Sequence, residues 1–253
     1  MKKVIIIIAS LMLIAGIGFL LFEPVSTSVN NYTANKIADE FDEIVKNANK
    51  KDKKNNHNKS VAKTSDSDSG GKITAPTKEQ LDRLLKASKK YNENIFSNQG
   101  TVSTSDYSRA AINLNKYGIY NNLYGYVSAP AINMRLPIYL GANDSMLSYG
   151  AAHLCNTSLP INGKNVNCAL AGHSGYTGRE LFNNVKNLKV GNNVSVKNYW
   201  GTINYRVIKT HIVAPEYTND IVIRPKKQLL TLITCVSAGG DKFNRFIAVC
   251  EKV

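Results

Sequence analysis

The chain has 253 residues, 43% of them apolar, with 32 Lys and Arg against 18 Asp and Glu, a formal charge of +14. That length allows one sizeable domain plus appendages. The basic charge comes without a recognisable nucleic-acid motif, which argues against nucleic acid and for an anionic membrane, envelope polymer or phosphorylated substrate.

Met1-Lys-Lys precedes VIIIIASLMLIAGIGFLLF, residues 4–22, which carries no charge. The run suffices for one crossing of a hydrocarbon core of roughly 30 Å. A cleaved signal peptide usually has a shorter apolar region and an A-x-A-like end. This run ends in Leu-Leu-Phe-Glu-Pro, so the reading is an uncleaved single-pass anchor. Lys2 and Lys3 lie before it and the next cation is Lys36, which predicts a cytoplasmic 1–3 and an extracellular remainder. Residues 23–76 read as stalk and linker. The acidic part has loosely helical apolar positions at Val29, Tyr32, Ile37, Phe41, Ile44 and Val45. The Lys-, Asn- and Ser-rich part after it buries too little to fold and reads as a disordered basic linker.

Order resumes in 77–253. Thr77-Lys-Glu-Gln80 is a capping-box pattern, and Leu81, Leu84, Leu85 and Ser88 follow at helical spacing, which predicts an amphipathic helix over 78–96. Residues 97–118 show no period and read as a long loop, a possible lid that includes Asp106-Tyr107. From Tyr124 the pattern becomes short apolar or alternating runs between Gly, Asn, Asp and Pro turns. Short helices are predicted at Asp144–Tyr149 and Arg179–Lys186. Seven or eight strands in this space predict a mostly β domain, a closed β-barrel with short helices.

Four cysteines stand at 155, 168, 235 and 250. Cys235 ends the β-branched run QLLTLITC just before Ser-Ala-Gly-Gly, at a strand mouth rather than in mid-strand. His173 ends Ala-Leu-Ala-Gly and precedes another turn, so the two share one architectural position. Arg245 begins RFIAV after the 236–244 loop, where a hairpin would return its guanidinium beside the thiol. His211 reads as a strand-face residue, and Cys250 as packing. His153, Cys155, Cys168 and His173 offer a zinc-type ligand set, but Cys168 lies inside an apolar strand and the spacing lacks the usual short clips. A Cys155–Cys168 disulfide and two inert thiols both remain open. No cofactor fingerprint appears, and Asp144, Glu180, Glu216 and Asp220 are too scattered for a calcium site.

TLITC followed ten residues later by Arg245, with LAGHSG upstream, resembles the sortases, membrane-anchored cysteine transpeptidases of Gram-positive bacteria. TSLP at 157–160, RELFNNV at 179–185 and KKYNENIF before the barrel are most similar to the class C, pilus-building members. Three features depart from that pattern. No Asp-Pro-aromatic triplet occurs in 97–118, Ser174 replaces the usual Arg after the histidine, and the sequence runs only to Val253, without the second membrane span common in class C.

The resemblance implies a sortase-like β-barrel with Cys235 as nucleophile, His173 as general acid/base and Arg245 orienting substrate and stabilising the oxyanion, with neither metal nor cofactor. It implies cleavage of an LPxTG-like signal between Thr and Gly through a thioester, on surface or pilin proteins. The acyl group passes to an amine, a pilin lysine in pilus assembly or a peptidoglycan precursor in housekeeping anchoring. The alternative from another class is a non-enzymatic, envelope-binding anchored barrel with a structural Cys235.

Overall fold

The apolar N-terminus and the stalk form one helix. In the computed structural model, which describes residues 2–51, 75–99, 107–175 and 178–253, α1 runs from Lys2 to Lys51. Side chains from Ser10 to Phe22 are exposed on all sides, as in Phe19 and Met12, and the helix is long and apolar enough to cross a membrane. Further on, Ala34, Ala38, Phe41, Val45 and Ala48 are buried. Their spacing of three and four residues keeps them on one face. That face lies on the barrel, where the Phe41 ring is 4.8 Å from Tyr199 and 6.1 Å from Tyr126, centroid to centroid. Full burial of such a ring contributes about 2 kcal/mol. Asp39 and Asp42 pair with Arg135 at 2.5 and 3.0 Å, and the Tyr126 hydroxyl donates to Asp42. Residues 23–51 of the predicted stalk are therefore helical, with Asp39 and Asp42 matched to Arg135 on the barrel; the predicted disordered linker at 52–74 lies outside the described residues.

α2, Lys78–Ser97, begins as its capping box predicts: Gln80 N–H donates to Thr77 Oγ1 and Thr77 N–H to Gln80 Oε1. Leu81, Leu84, Ser88 and Asn92 form its buried stripe. Asn92 makes both bonds to the backbone of Leu159, at 2.8 and 3.0 Å. Tyr124 donates to Ser88. Burying these polar groups costs little because each is paired. Helix α2 thus closes one end of the barrel.

Eight strands make the barrel: β1 Leu123–Ala129, β2 Met134–Leu140, β3 Ala151–His153, β4 Val166–Gly172, β5 Asn193–Asn198, β6 Gly201–Val213, β7 Gln228–Ser237 and β8 Phe243–Lys252. They close in the order β1-β2-β3-β4-β7-β8-β6-β5. The pairs β2–β3 and β4–β7 are parallel and the others antiparallel. Cys168, Leu170, Leu230, Leu232, Ala248 and Cys250 belong to the one large core. The alternate residues Leu229, Ile233, Ile247 and Val249 face outward, into a small second cluster under Val213 and Tyr217.

Two predicted short helices fare differently. Asp144–Tyr149 is α3, capped by Asn143, whose side chain accepts from Met146 N–H. Arg179–Lys186 is instead a series of turns with only a 3-10 turn at Val185–Asn187. Its backbone makes only three-residue turn bonds, Asn183 N–H to Glu180 O and Val185 N–H to Phe182 O, while Phe182 N–H donates to the His173 carbonyl and Asn31 of α1 donates to Glu180.

Candidate active site

β4 and β7 run side by side and in parallel, with Gly172 opposite Thr234. The next residue on each chain is His173 and Cys235. Neighbouring strands lie about 4.8 Å apart and equivalent residues share a face, so the histidine and the cysteine stand side by side, both half-buried. Thr234 ties the pair of strand ends together, its buried hydroxyl donating to the Gly172 carbonyl at 2.9 Å. The sequence reading quoted Thr234 within TLITC but gave it no role.

β8 returns antiparallel with Cys235 opposite Arg245. Arg245 Nη1 lies 3.0 Å from Cys235 Sγ. The Ala238–Lys242 turn makes this return possible: Ala238 N–H donates to Lys242 O, and Gly239 and Gly240 both hold positive φ, +96° and +57°. A side chain at either would be strained there. All three candidate residues therefore lie on the outward face at one end of β4, β7 and β8, away from α2.

Gly172 has a second function in placing His173. A Cβ there would lie 2.5 Å from the Phe182 ring, and Phe182 N–H donates to the His173 carbonyl at 3.0 Å. The outer face below the site is covered by the 214–227 loop. Asn167 Nδ2 donates to the carbonyls of Asp220 and Val222 at 2.7 and 3.0 Å, and Thr231 donates to the Asp220 carbonyl. The Asp220 carboxylate, only 1% exposed, is compensated by Lys209 at 3.4 Å and Arg224 at 3.7 Å, with His211 Nε2 2.6 Å from its other oxygen. His211 is thus a strand residue holding this wall, consistent with its sequence reading. Asp220 is the wall's buried counter-ion, a role the sequence reading did not foresee.

The remaining thiols are free and buried at 155, 168 and 250. Burial pushes the Cys168 thiol well up and the Cys250 thiol up to about 12. The Cys155–Cys168 bridge left open by the sequence is therefore not formed. His153 is fully buried beneath the TSLP segment, its Nε2 3.1 Å from the Ser158 carbonyl. Among the described residues no group of three or more His, Cys, Asp and Glu is arranged to hold a metal.

Of the predicted lid residues, Asp106 lies outside the described residues. Tyr107 is fastened by its carbonyl to the N–H groups of Ala142 and Cys155, at 3.0 and 3.3 Å. The adjacent Leu154 pairs with Ala169, four residues before His173 on β4. At about 3.3 Å per residue, the Tyr107 backbone is roughly 13 Å from the level of the thiol.

A thiol, an adjacent imidazole and a guanidinium at one end of a closed barrel define a candidate cysteine acyl-transfer site. Residues 127–253 match the sortase domain, and the chain belongs to the sortase family. It is 28% identical over 167 residues to sortase A of Streptococcus agalactiae, 64% of each chain, so it spans just under two-thirds of that relative. Two solved structures are similar. Sortase C of Clostridium perfringens, determined with the C-terminal cell wall sorting motif, is 29% identical with a TM-score of 0.59, covering 70% of this chain and 91% of that one. Pilus-related sortase C of Group B Streptococcus is 26% identical with a TM-score of 0.59, over the same shares.

Proposed function

We propose that the chain is a cysteine transpeptidase acting on proteins with an LPxTG-like sorting signal. The observation that carries this reading is the Arg245–Cys235 contact at 3.0 Å with His173 next in register. Cys235 thiolate attacks the Thr carbonyl carbon of the Thr–Gly bond. Arg245, beside the sulfur, faces the negative charge that moves to the carbonyl oxygen. Such donors are worth about 10²–10³ in rate. The C–N bond then breaks, the Gly amine leaves with a proton from the His173 imidazolium, and a thioester stays on Cys235. An acceptor amine attacks this thioester, gives its proton to His173, and expels the thiolate. One bond forms and one breaks in each half, so no cofactor or metal is needed.

The acceptor we favour is a pilin lysine, because the similar solved structures include a pilus-related sortase C. Housekeeping attachment to a peptidoglycan precursor is the second reading, favoured by the likeness to a sortase A. The long apolar part of α1 supports a membrane anchor, and Lys2 and Lys3 before it support a cytoplasmic N-terminus with the barrel outside. The test offers the full chain a sorting-signal peptide together with a pilin domain and a diamino-acid cross-bridge analogue. Products on the pilin lysine support polymerisation; products on the cross-bridge amine support wall anchoring. Equal turnover by Cys235→Ala would overturn the transpeptidase reading and favour an envelope-binding barrel.

A further inference from the structure

The wall that follows His173 holds one residue in an unfavourable backbone conformation. Leu181 lies at φ +34°, while Gly178 takes φ +72°, which glycine adopts freely. A branched L residue avoids this region because its Cβ crowds the backbone, so the conformation persists only where neighbours fix it. Leu181 is buried and Phe182, next to it, bonds back to the His173 carbonyl and packs its ring on Gly172.

Further fastenings come from α1, about 150 residues away in sequence. Asn30 Nδ2 donates to the Gly178 carbonyl at 2.7 Å, and Ser26 Oγ reaches the same carbonyl at 3.4 Å. Ser26 also occupies the space that a Cβ at Gly178 would need. Asn31 Nδ2 donates to one oxygen of Glu180 at 2.6 Å, while Asn184 donates to the other at 2.5 Å. Arg179 completes the wall, donating to the Ser148 carbonyl and stacking on the Tyr149 ring at 5.1 Å. Both carboxylate oxygens of Glu180 thus accept a hydrogen bond, one of them from the anchor helix. Ser26 and Asn30 follow the apolar run ending at Phe22 by four and eight residues, about 6 and 12 Å along the helix.

We infer that Asn30 and Asn31 of α1 are positioning residues for His173: they fix the Gly178–Phe182 wall, and through Phe182 the end of β4 that carries the imidazole. The anchor helix is then a part of the active site's framework as well as a tether. This rests on the reading that His173 works with Cys235. Two independent side chains of one helix turn grip two successive parts of the wall, and both bonds are short. Asn30 Nδ2 also donates to the Ser26 carbonyl within α1 at 2.9 Å, and both Asn residues precede the buried apolar stripe of α1, which begins at Ala34.

The test uses the full chain in detergent or bilayers and measures kcat and KM for peptide transfer. The variant Asn30→Ala/Asn31→Ala is expected to lower kcat about tenfold, since small misplacements of a reacting group are costly. KM should stay within about twofold, and Cys235 should still alkylate at the wild-type rate. Asn31→Asp sets a carboxylate against Glu180 and is expected to lower kcat similarly; adding Glu180→Gln exchanges donor and acceptor and should restore it. Thr33→Ala, whose hydroxyl donates to the Val29 carbonyl within the helix, should leave kcat unchanged. Wild-type kcat in the double Ala variant, with Cys235→Ala inactive, would overturn the inference and leave α1 a tether. Should the double Ala variant unfold, the folded Asn31→Asp decides instead: wild-type kcat there overturns the inference. Activity in Cys235→Ala would overturn the proposed function itself.

Discussion

Arg245 Nη1 stands 3.0 Å from Cys235 Sγ, across a ladder in which the two residues are direct partners. The contact is set by backbone register, not by a long side chain searching for a partner. One residue of slip between β7 and β8 would send Arg245 to the barrel's other face. Together with Thr234 binding β7 to β4, this fixes the thiol relative to both neighbours before any substrate arrives.

Arg245→Ala is expected to lower kcat/KM by about 10²–10³, the range for loss of one oxyanion donor. Arg245→Lys should recover little, because an ammonium lacks the planar fork that can face sulfur and carbonyl oxygen together. Steady-state transfer assays on both variants check this. Wild-type activity in Arg245→Lys would reduce the arginine to a generic positive charge.

Gly172→Ala tests how His173 is placed. The added methyl would meet the Phe182 ring at 2.5 Å, too close for any contact, so ring or strand end must move. Overpacking of this kind costs about 1–3 kcal/mol. A fall of that size in denaturant-measured stability, with a loss of kcat, is expected. Unchanged stability and kcat would show that Phe182 yields freely and does not position the histidine.

Local sequence signals made the candidate site legible and left its supports hidden. Cys235 and His173 could be found because each ends an apolar run at a turn, and Arg245 because a ten-residue return closes a hairpin. The Thr77–Gln80 capping box likewise states its own bonds. The packing of α1 was hidden because Ala34, Ala38 and Phe41 read equally as a loose stalk, and only the barrel surface with Arg135 makes them a docked face. The 179–186 helix was wrongly expected for a related reason. Its apolar spacing is helical, but Glu180 is held by Asn31, some 150 positions upstream, and Phe182 by the His173 carbonyl. His153 and Asp220 became structural residues only once their burial was known.

Acid should destabilise the fold through His153. Burial holds its pKa down to about 4, and its Nδ1 has no partner among the described residues to receive a second N–H. Unfolded, the same group titrates near 6.5. Between these values the unfolded chain binds a proton that the folded one refuses. Stability from this source is therefore intact above pH 6.5 and declines as pH falls, by about 3 kcal/mol on reaching pH 4. His153→Gln should lose less stability than wild type between pH 7 and 4.5 in urea melts. Equal losses would place the acid sensitivity elsewhere.

The most direct measurement is the intact mass of the full chain incubated with a sorting-signal peptide, with Cys235→Ala alongside. The account requires a mass increase equal to the peptide acyl fragment up to Thr, on the wild type only and released by hydroxylamine as a thioester should be. His173→Ala should form little of it. An adduct on Cys235→Ala, or no adduct with any signal from a thiol that alkylates no faster than the buried Cys155, Cys168 and Cys250, would contradict the assignment of Cys235 as the nucleophile.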